Sequence, residues 1–325
     1  MHTFYIRPCP LLQPHIHSFV YTKFEQEESS FQLDQYPTGY TAIAYMLGPS
    51  PVETTDLSND RIFRAKLYFT GQLKKFTPLR SASYSAVYVV FKPIGASHFL
   101  SDPLHCFTDS FTELADMMPY SPIYQRLVDC HHHPQLVITA LEEWLLQLMQ
   151  EKKKGASWKS SAAMPRLSAI LKKMMVNKGK LSIEDICRDF HIPQRTLEVQ
   201  FNNNIGISPK SFSRMLRINH AHKQCIVLKK NDWQEIIHEC NYFDQAHFIK
   251  EFKTFFGYTP AGAPPGKWNL SAELLGYTEN RPVPDAHTLF PPSIHCSRDK
   301  KNGSVTYATD PDIFDGQPSY LATFA

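Results

Sequence analysis

The sequence predicts an α+β chain, with a β-rich, barrel-like N-terminal part followed by an all-α part containing two helix-turn-helix units. Three observations carry that expectation. Short aromatic and β-branched runs broken by turn residues fill residues 1–118, apolar residues at helical spacing dominate residues 165–253, and the helical part repeats internally. The 325 residues allow two domains and a tail, and 42% hydrophobic with 13% aromatic content excludes wholesale disorder.

Residues 18–24, 41–47, 62–69 and 84–91 read as strands, separated by turn signals at Pro37-Thr38-Gly39, Gly48-Pro49 and Pro93-Ile94-Gly95. Short strands at that spacing suggest a small barrel or sandwich. The period then changes. Leu136, Val137, Ala140, Leu141, Trp144, Leu145 and Leu148 recur at helical spacing, so residues 135–150 form an amphipathic helix, which either packs on the barrel or serves dimerisation. The run Lys152-Lys153-Lys154-Gly155-Ala156-Ser157 reads as a linker. It divides the chain into a sensory or dimerisation domain (1–150), a linker (151–164), a helical domain (165–262) and an irregular tail (263–325).

A gap-free shift of 51 residues lays Glu184, Ile186, Gln194, Leu197, Phe201, Gly206, Ser208 and Pro209 on Glu235, Ile237, Gln245, Phe248, Phe252, Gly257, Thr259 and Pro260. Coincidence at apolar helix positions is common; a matched glycine followed two residues later by Ser/Thr-Pro is not. In the first unit (182–206), Ser182 with Asp185 marks a capped helix whose buried face is Ile183, Ile186 and Cys187. A turn at His191-Ile192-Pro193 leads to a helix that faces Leu197 and Phe201 inward and stops at Gly206. In the second unit (232–257), Asp232 with Glu235 opens a helix bearing Ile236 and Ile237. A turn at Asn241-Tyr242-Phe243 then leads to Asp244, the cap of a helix that buries Phe248 and Phe252 and ends at Gly257. Between the units, Ser208-Pro209 opens a connecting helix to about Lys229, about 33 Å long at 1.5 Å per residue. That is close to one turn of B-DNA, about 34–36 Å.

Charge is uneven around the net +3. Residues 1–151 carry 10 Lys+Arg against 15 Asp+Glu, residues 152–269 carry 20 against 9, and residues 270–325 carry 4 against 7. A basic block between acidic segments is the footprint of a nucleic-acid binder, although a solvated lysine-rich face gives the same counts. No run approaches the roughly 18 apolar residues of a membrane span. The first 19 residues contain Pro8 and Pro10 and no clean apolar stretch, so secretion is not expected. Seven scattered cysteines (Cys9, Cys106, Cys130, Cys187, Cys225, Cys240, Cys296) form no C-x-x-C pair, which points to a reducing cytoplasm.

The stretch Asn241-Tyr242-Phe243-Asp244-Gln245-Ala246-His247-Phe248-Ile249-Lys250-Glu251-Phe252-Lys253, with Gly257, Thr259 and Pro260, resembles the second helix-turn-helix signature of the AraC/XylS family of bacterial transcription regulators. Residues 193–201 with Gly206 and Ser208-Pro209-Lys210 fit the first. The resemblance covers about residues 160–262. More weakly, the N-terminal part is similar to the β-barrel sensory domains that often precede this domain, residues 89–96 resembling one subgroup. The resemblance implies a regulator of transcription that is not an enzyme, binds double-stranded DNA, answers to a small-molecule effector, and needs no cofactor or metal. It leaves open a homodimer, contact with RNA polymerase, and an N-terminal domain that binds only a protein.

By this resemblance the first recognition helix reads bases from Gln194, Arg195, Glu198, Val199 and Asn202, the positions also left outward when Leu197 and Phe201 face in. Val199 stands where the family usually has a basic residue and offers apolar contact to a thymine methyl. Glu198 either accepts from a cytosine amino group or supports Arg195. In the second helix Gln245, Ala246, Ile249 and Lys250 face out, with Asp244 as cap. Lys210, Arg214, Arg217 and Lys253 are phosphate candidates or ordinary solvated surface. A DNA-repair methyl acceptor sharing this domain would need a reactive cysteine in a Pro-Cys-His-like setting and a four-cysteine zinc cluster, and the sequence has neither. For His15-Ile16-His17 the next carboxylate, Glu25, is too distant for a metal motif, and His131-His132-His133 reads as a polar loop. No glycine-rich phosphate loop, G-x-S-x-G or H-E-x-x-H occurs.

Overall fold

A computed structural model describes residues 2–23, 31–47, 50–81, 85–118, 123–130, 133–155, 163–227, 233–262, 294–298, 305–309 and 322–324. The N-terminal part is two antiparallel sheets built from β1 (His2–Ile6), β2 (Ile16–Lys23), β3 (Phe31–Gln35), β4 (Thr41–Met46), β5 (Val52–Thr55), β6 (Ile62–Ala65), β7 (Leu67–Thr70), β8 (Thr77–Ser81), β9 (Ser85–Phe91) and β10 (Phe111–Glu113). The larger sheet runs β1-β2-β9-β4-β7-β10 and the smaller β3-β8-β5-β6; among the described residues neither closes into a barrel. The stretch 62–69, expected as one strand, is two, because the chain changes sheets at Lys66. Val20, Tyr88, Ala44 and Tyr68 lie side by side across β2, β9, β4 and β7 and are buried in one apolar cluster.

Helices follow. After α1 (Leu114–Met117) and α2 (Ile123–Cys130), α3 (Pro134–Gly155) is the expected amphipathic helix, with Val137, Leu141, Trp144 and Leu145 buried within the chain. It runs on through Lys152-Lys153-Lys154-Gly155, which the sequence assigns to a linker. The continuation has a physical reason: Lys152 Nζ donates to Ser97 O at 2.7 Å and to Leu100 O, which ties this turn to the sheet domain. The rest of the expected linker, 156–162, lies outside the described residues. Next come α4 (Ala163–Val176), α5 (Ile183–Asp189), α6 (Gln194–Asn204), α7 (Pro209–His222), α8 (Trp233–Glu239) and α9 (Gln245–Phe256). They share a core of Leu167, Ile170, Ile186, Leu197, Phe201, Phe212, Ile236, Phe248, Phe252 and their neighbours.

Residues 1–281 form one compact unit and residues 282–325 another. In the second, β11 (Ile294–Arg298), β12 (Val305–Thr309) and β13 (Ala322–Phe324) pair antiparallel. The tail expected to be irregular thus contains a three-stranded sheet, whose β-branched and aromatic runs are too short to show a period. Among the described residues no helix is long and apolar enough to cross a membrane.

Candidate nucleic-acid interface

The helix-turn-helix units are built by their caps. Ser182 Oγ accepts from the Asp185 N–H at 3.0 Å and opens α5. Asp244 Oδ1 accepts from the His247 N–H at 2.7 Å and opens α9, so Asp244 is the expected cap; Asp232, the counterpart of Ser182, lies outside the described residues. Both recognition helices stop at glycines in the left-handed region, Gly206 at φ +102° and Gly257 at φ +78°, a conformation that penalises any Cβ. Leu197, Phe201, Phe248 and Phe252 are fully buried, which fixes the rotation of α6 and α9 about their axes.

The two units differ by one residue. The bonds closing the first turn, Phe190 N–H to Ile186 O and His191 N–H to Arg188 O, recur 50 residues later as Cys240 to Ile236 and Asn241 to His238. Yet α6 and α9 begin 51 residues apart. A gap-free shift therefore misaligns the first helices: the partner of buried Ile186 is buried Ile236, not Ile237. The additional residue is Phe243, which is 95% exposed.

On α6, Gln194, Arg195 and Val199 are exposed, and Glu198 and Asn202 half-buried. Gln194 Nε2 donates to Glu198 Oε1 at 2.9 Å, so Glu198 supports Gln194 rather than Arg195. Val199 and Asn202 also line a cleft of about 470 Å³ that the sheet domain enters with Lys74, His105 and Thr108. On α9, Gln245, Ala246 and Lys250 are exposed, whereas Ile249 is half-buried and packs against the core. The sequence places Ile249 fully outward; its position one residue past Phe248 puts it at the edge of the buried stripe instead.

Of the four phosphate candidates, Lys210 and Lys253 are exposed. Arg214 is not free: its Nε donates to Glu251 Oε1, and its guanidinium lies 5.3 Å from the Phe255 ring centroid. Glu251 is only 2% exposed, so the pair pins α9 to α7. Arg217 lies 5.9 Å over the ring of Tyr242, whose phenol burial and then the Glu251 charge push well above its ordinary pKa. Sequence reasoning missed Glu251, and the signal was present. It sits on the stripe Phe248, Phe252 and Phe255, where a carboxylate requires a basic partner.

The connecting helix starts as expected, with Ser208 Oγ accepting from the Ser211 N–H at 3.2 Å and Pro209 in the first turn. It is not one α-helix to Lys229. The α pattern ends at His222 after about 21 Å, and Lys223–Val227 wind as a π turn. His222, packed on Phe256 with ring centroids 4.1 Å apart and bonded through Nε2 to Tyr258 OH at 2.9 Å, holds that end to the second unit. Burial pushes its imidazole down to about 3.

Among the described residues no group of three or more His, Cys, Asp or Glu is arranged to hold a metal. His15 packs on His98 with ring centroids 4.1 Å apart, and His17 Nδ1 lies 3.0 Å from Ser18 Oγ.

Comparison with known proteins matches residues 186–263 to a helix-turn-helix domain family and residues 5–113 to a domain of unknown function (DUF6597). The chain is 27% identical over 143 residues to the HTH-type transcriptional regulator ExsA of Pseudomonas aeruginosa, covering 42% of this chain and 50% of ExsA. It thus spans about half the length of that curated relative. Among solved structures it is similar to ToxT of Vibrio cholerae, at TM-score 0.40 and 10% identity over 81% of this chain and 98% of ToxT. It is also similar to ToxT with an unsaturated fatty acid bound, at TM-score 0.38 and 11% identity over 73% and 95% of the two chains. A third is the AraC-like transcriptional activator CuxR, at TM-score 0.26 and 14% identity over 64% and 79%.

Proposed function

From the premise that its C-terminal region carries an AraC-type helix-turn-helix domain, we propose that this chain is a sequence-specific DNA-binding regulator of transcription. One observation carries the reading: α6 and α9 are each locked to the core by one face and expose the other, within the basic block of the chain. On this reading α6 and α9 enter successive major grooves. Gln194, Arg195, Val199, Gln245, Ala246 and Lys250 meet base edges, Glu198 orients Gln194, and Asn202 and Ile249 contribute from the groove wall. Lys210 and Lys253 take phosphates, Arg217 reaches the backbone from over the Tyr242 ring, and Arg214, engaged by Glu251, holds α9 rather than a phosphate.

Residues 1–155 are then the sensor, because α3 takes the first part of the expected linker, and the DNA-binding domain of 165–262 begins within α4. Support for a sensor lies between the sheets. Tyr68 and Tyr88 pair with Ala44 from either side, and their hydroxyls are buried and have no hydrogen-bond partner among the described residues. Each unsatisfied group costs about 1–3 kcal/mol, which a small apolar effector with one polar group would relieve. The same proposal places the chain in the cytoplasm, without catalytic activity, and leaves open a homodimer and contact with RNA polymerase. Selection of bound sequences from a random duplex pool with the full chain tests it; absence of any enriched sequence refutes it. Thermal shift of the full chain across a small-molecule set separates an effector sensor from a domain that binds only protein.

A further inference from the structure

The glycines that end the two recognition helices are repeat equivalents, and the sheet domain grips both. At Gly206, the Thr108 hydroxyl donates to the glycine carbonyl, and a methyl group would sit 3.0 Å from Leu104 O. At Gly257, the Phe76 ring covers the glycine so closely that a methyl group would sit 2.9 Å from its Cδ1. The Phe76 N–H also donates to Thr254 O at 3.2 Å, in the last turn of α9.

The two grips belong to one cross-linked bracket. The Asp109 N–H donates to Gln72 O at 2.8 Å, the Lys74 N–H donates to Asp109 Oδ1 at 2.7 Å, and Lys74 Nζ lies 3.2 Å from Asp109 Oδ2. Gln72 Nε2 donates to Gly39 O at 2.9 Å, extending the bracket to a segment that rests on α7. There Pro37 O accepts from Asn219 Nδ2 at 3.0 Å, and Gly39 faces the Phe212 ring. Tyr36 completes the contact, lying against Phe76 and Phe256 with ring centroids 5.7 and 5.5 Å away.

Two facts say what the bracket does. It holds the ends of α6 and α9, borders only Val199 and Asn202 of the reading candidates across the cleft, and leaves Gln194, Arg195, Gln245, Ala246 and Lys250 exposed, so it aligns most of these faces without covering them. And the winding between the units changes at Lys223, so helix continuity alone does not fix their relation; the bracket adds to the hold that Arg214 and His222 of α7 take on the second unit. We propose that Phe76 and Thr108 are positioning residues that set the separation and phase of the two DNA-reading helices, making the sheet domain part of the ruler by which the chain measures its site.

The proposal rests on the DNA-binding reading above. One base pair of spacer moves a half-element by about 3.4 Å and turns it by about 34°, which a braced pair of helices cannot follow. The test uses the full chain and the sequence it selects, with the spacer between the two half-elements lengthened or shortened one base pair at a time. Wild type is expected to lose about tenfold or more in affinity at one base pair off the preferred spacing, because the second contact is lost as an intramolecular event. Phe76→Ala is expected to cut that discrimination to about threefold or less, with Phe76→Leu restoring it. Thr108→Val, which removes only the hydroxyl donor, gives a second arm that does not depend on how well Phe76→Ala folds. Spacing discrimination as sharp as wild type in the folded variants overturns the proposal, as does a wild type indifferent to spacing. A wild type that selects no sequence refutes the DNA-binding reading itself.

Discussion

Replacing Arg214 with methionine asks what a basic side chain on α7 is for. By sequence it is a phosphate contact; in the structure its Nε meets a carboxylate that is 2% exposed. Methionine keeps the apolar stem against Phe255 and removes the charge, leaving Glu251 buried beside the Tyr242 phenol with no cation in contact among the described residues. Breaking a buried pair by deleting one partner costs about 3–5 kcal/mol. Arg214 is 47% exposed, so water follows into the gap, and about 2 kcal/mol is the expected loss. Denaturant unfolding measures it, and a double-mutant cycle with Glu251→Gln assigns it: the double variant should regain much of what Arg214→Met loses. The salt dependence of DNA binding should keep its slope. If Arg214→Met instead leaves stability intact and flattens the slope by about 0.9, the side chain is a phosphate contact and the pinning argument is wrong.

His222 carries a pH signature. With its imidazole pushed down to about 3 from an ordinary 6.5, the unfolded chain takes up a proton that the folded chain refuses. Its contribution is complete above about pH 6.5 and withdraws by about 1.4 kcal/mol per unit as pH falls toward 3, so His222→Gln should flatten that limb of the stability curve, and equal limbs would contradict the assignment. Phe252→Ala empties a fully buried site and should cost about 3–5 kcal/mol, abolishing DNA binding through loss of the second unit; native melting would overturn the core assignment. Arg195→Ala and Gln245→Ala should each relax preference by about 1–3 kcal/mol at base pairs about 10 apart, and relaxation at one shared base pair would exclude bipartite docking.

How much of this was legible depended on length and period. Strands β4 and β9 were readable because their apolar runs bury both faces. Strands β1, β3, β5, β8 and β10 were not: each has three to five residues, and Pro78 inside β8 argues against a strand on sequence grounds. In the helical part the glycine stops and caps carried nearly everything, because a left-handed residue and an N-cap oxygen are local requirements. Non-local partners were invisible. The apolar stripe marks Glu251 as needing a basic partner but does not say that it is Arg214, and nothing near Gly257 announces Phe76.

The single additional residue at Phe243 also makes the duplicated units non-interchangeable. A crossover placed in the helix before the turn, by recombination or by a protein engineer grafting one reading helix onto the other scaffold, inherits or loses one residue. In a 51-residue register such a crossover changes the length of that first helix by one, and the positions between it and the turn rotate by about 100° about the axis, so a side chain that should fill the core points into water. Chimeras that break at the caps, Pro193 and Asp244, escape this, because each helix then keeps its own phase. The one-residue mismatch therefore confines structure-preserving exchange between the copies to breakpoints at the caps.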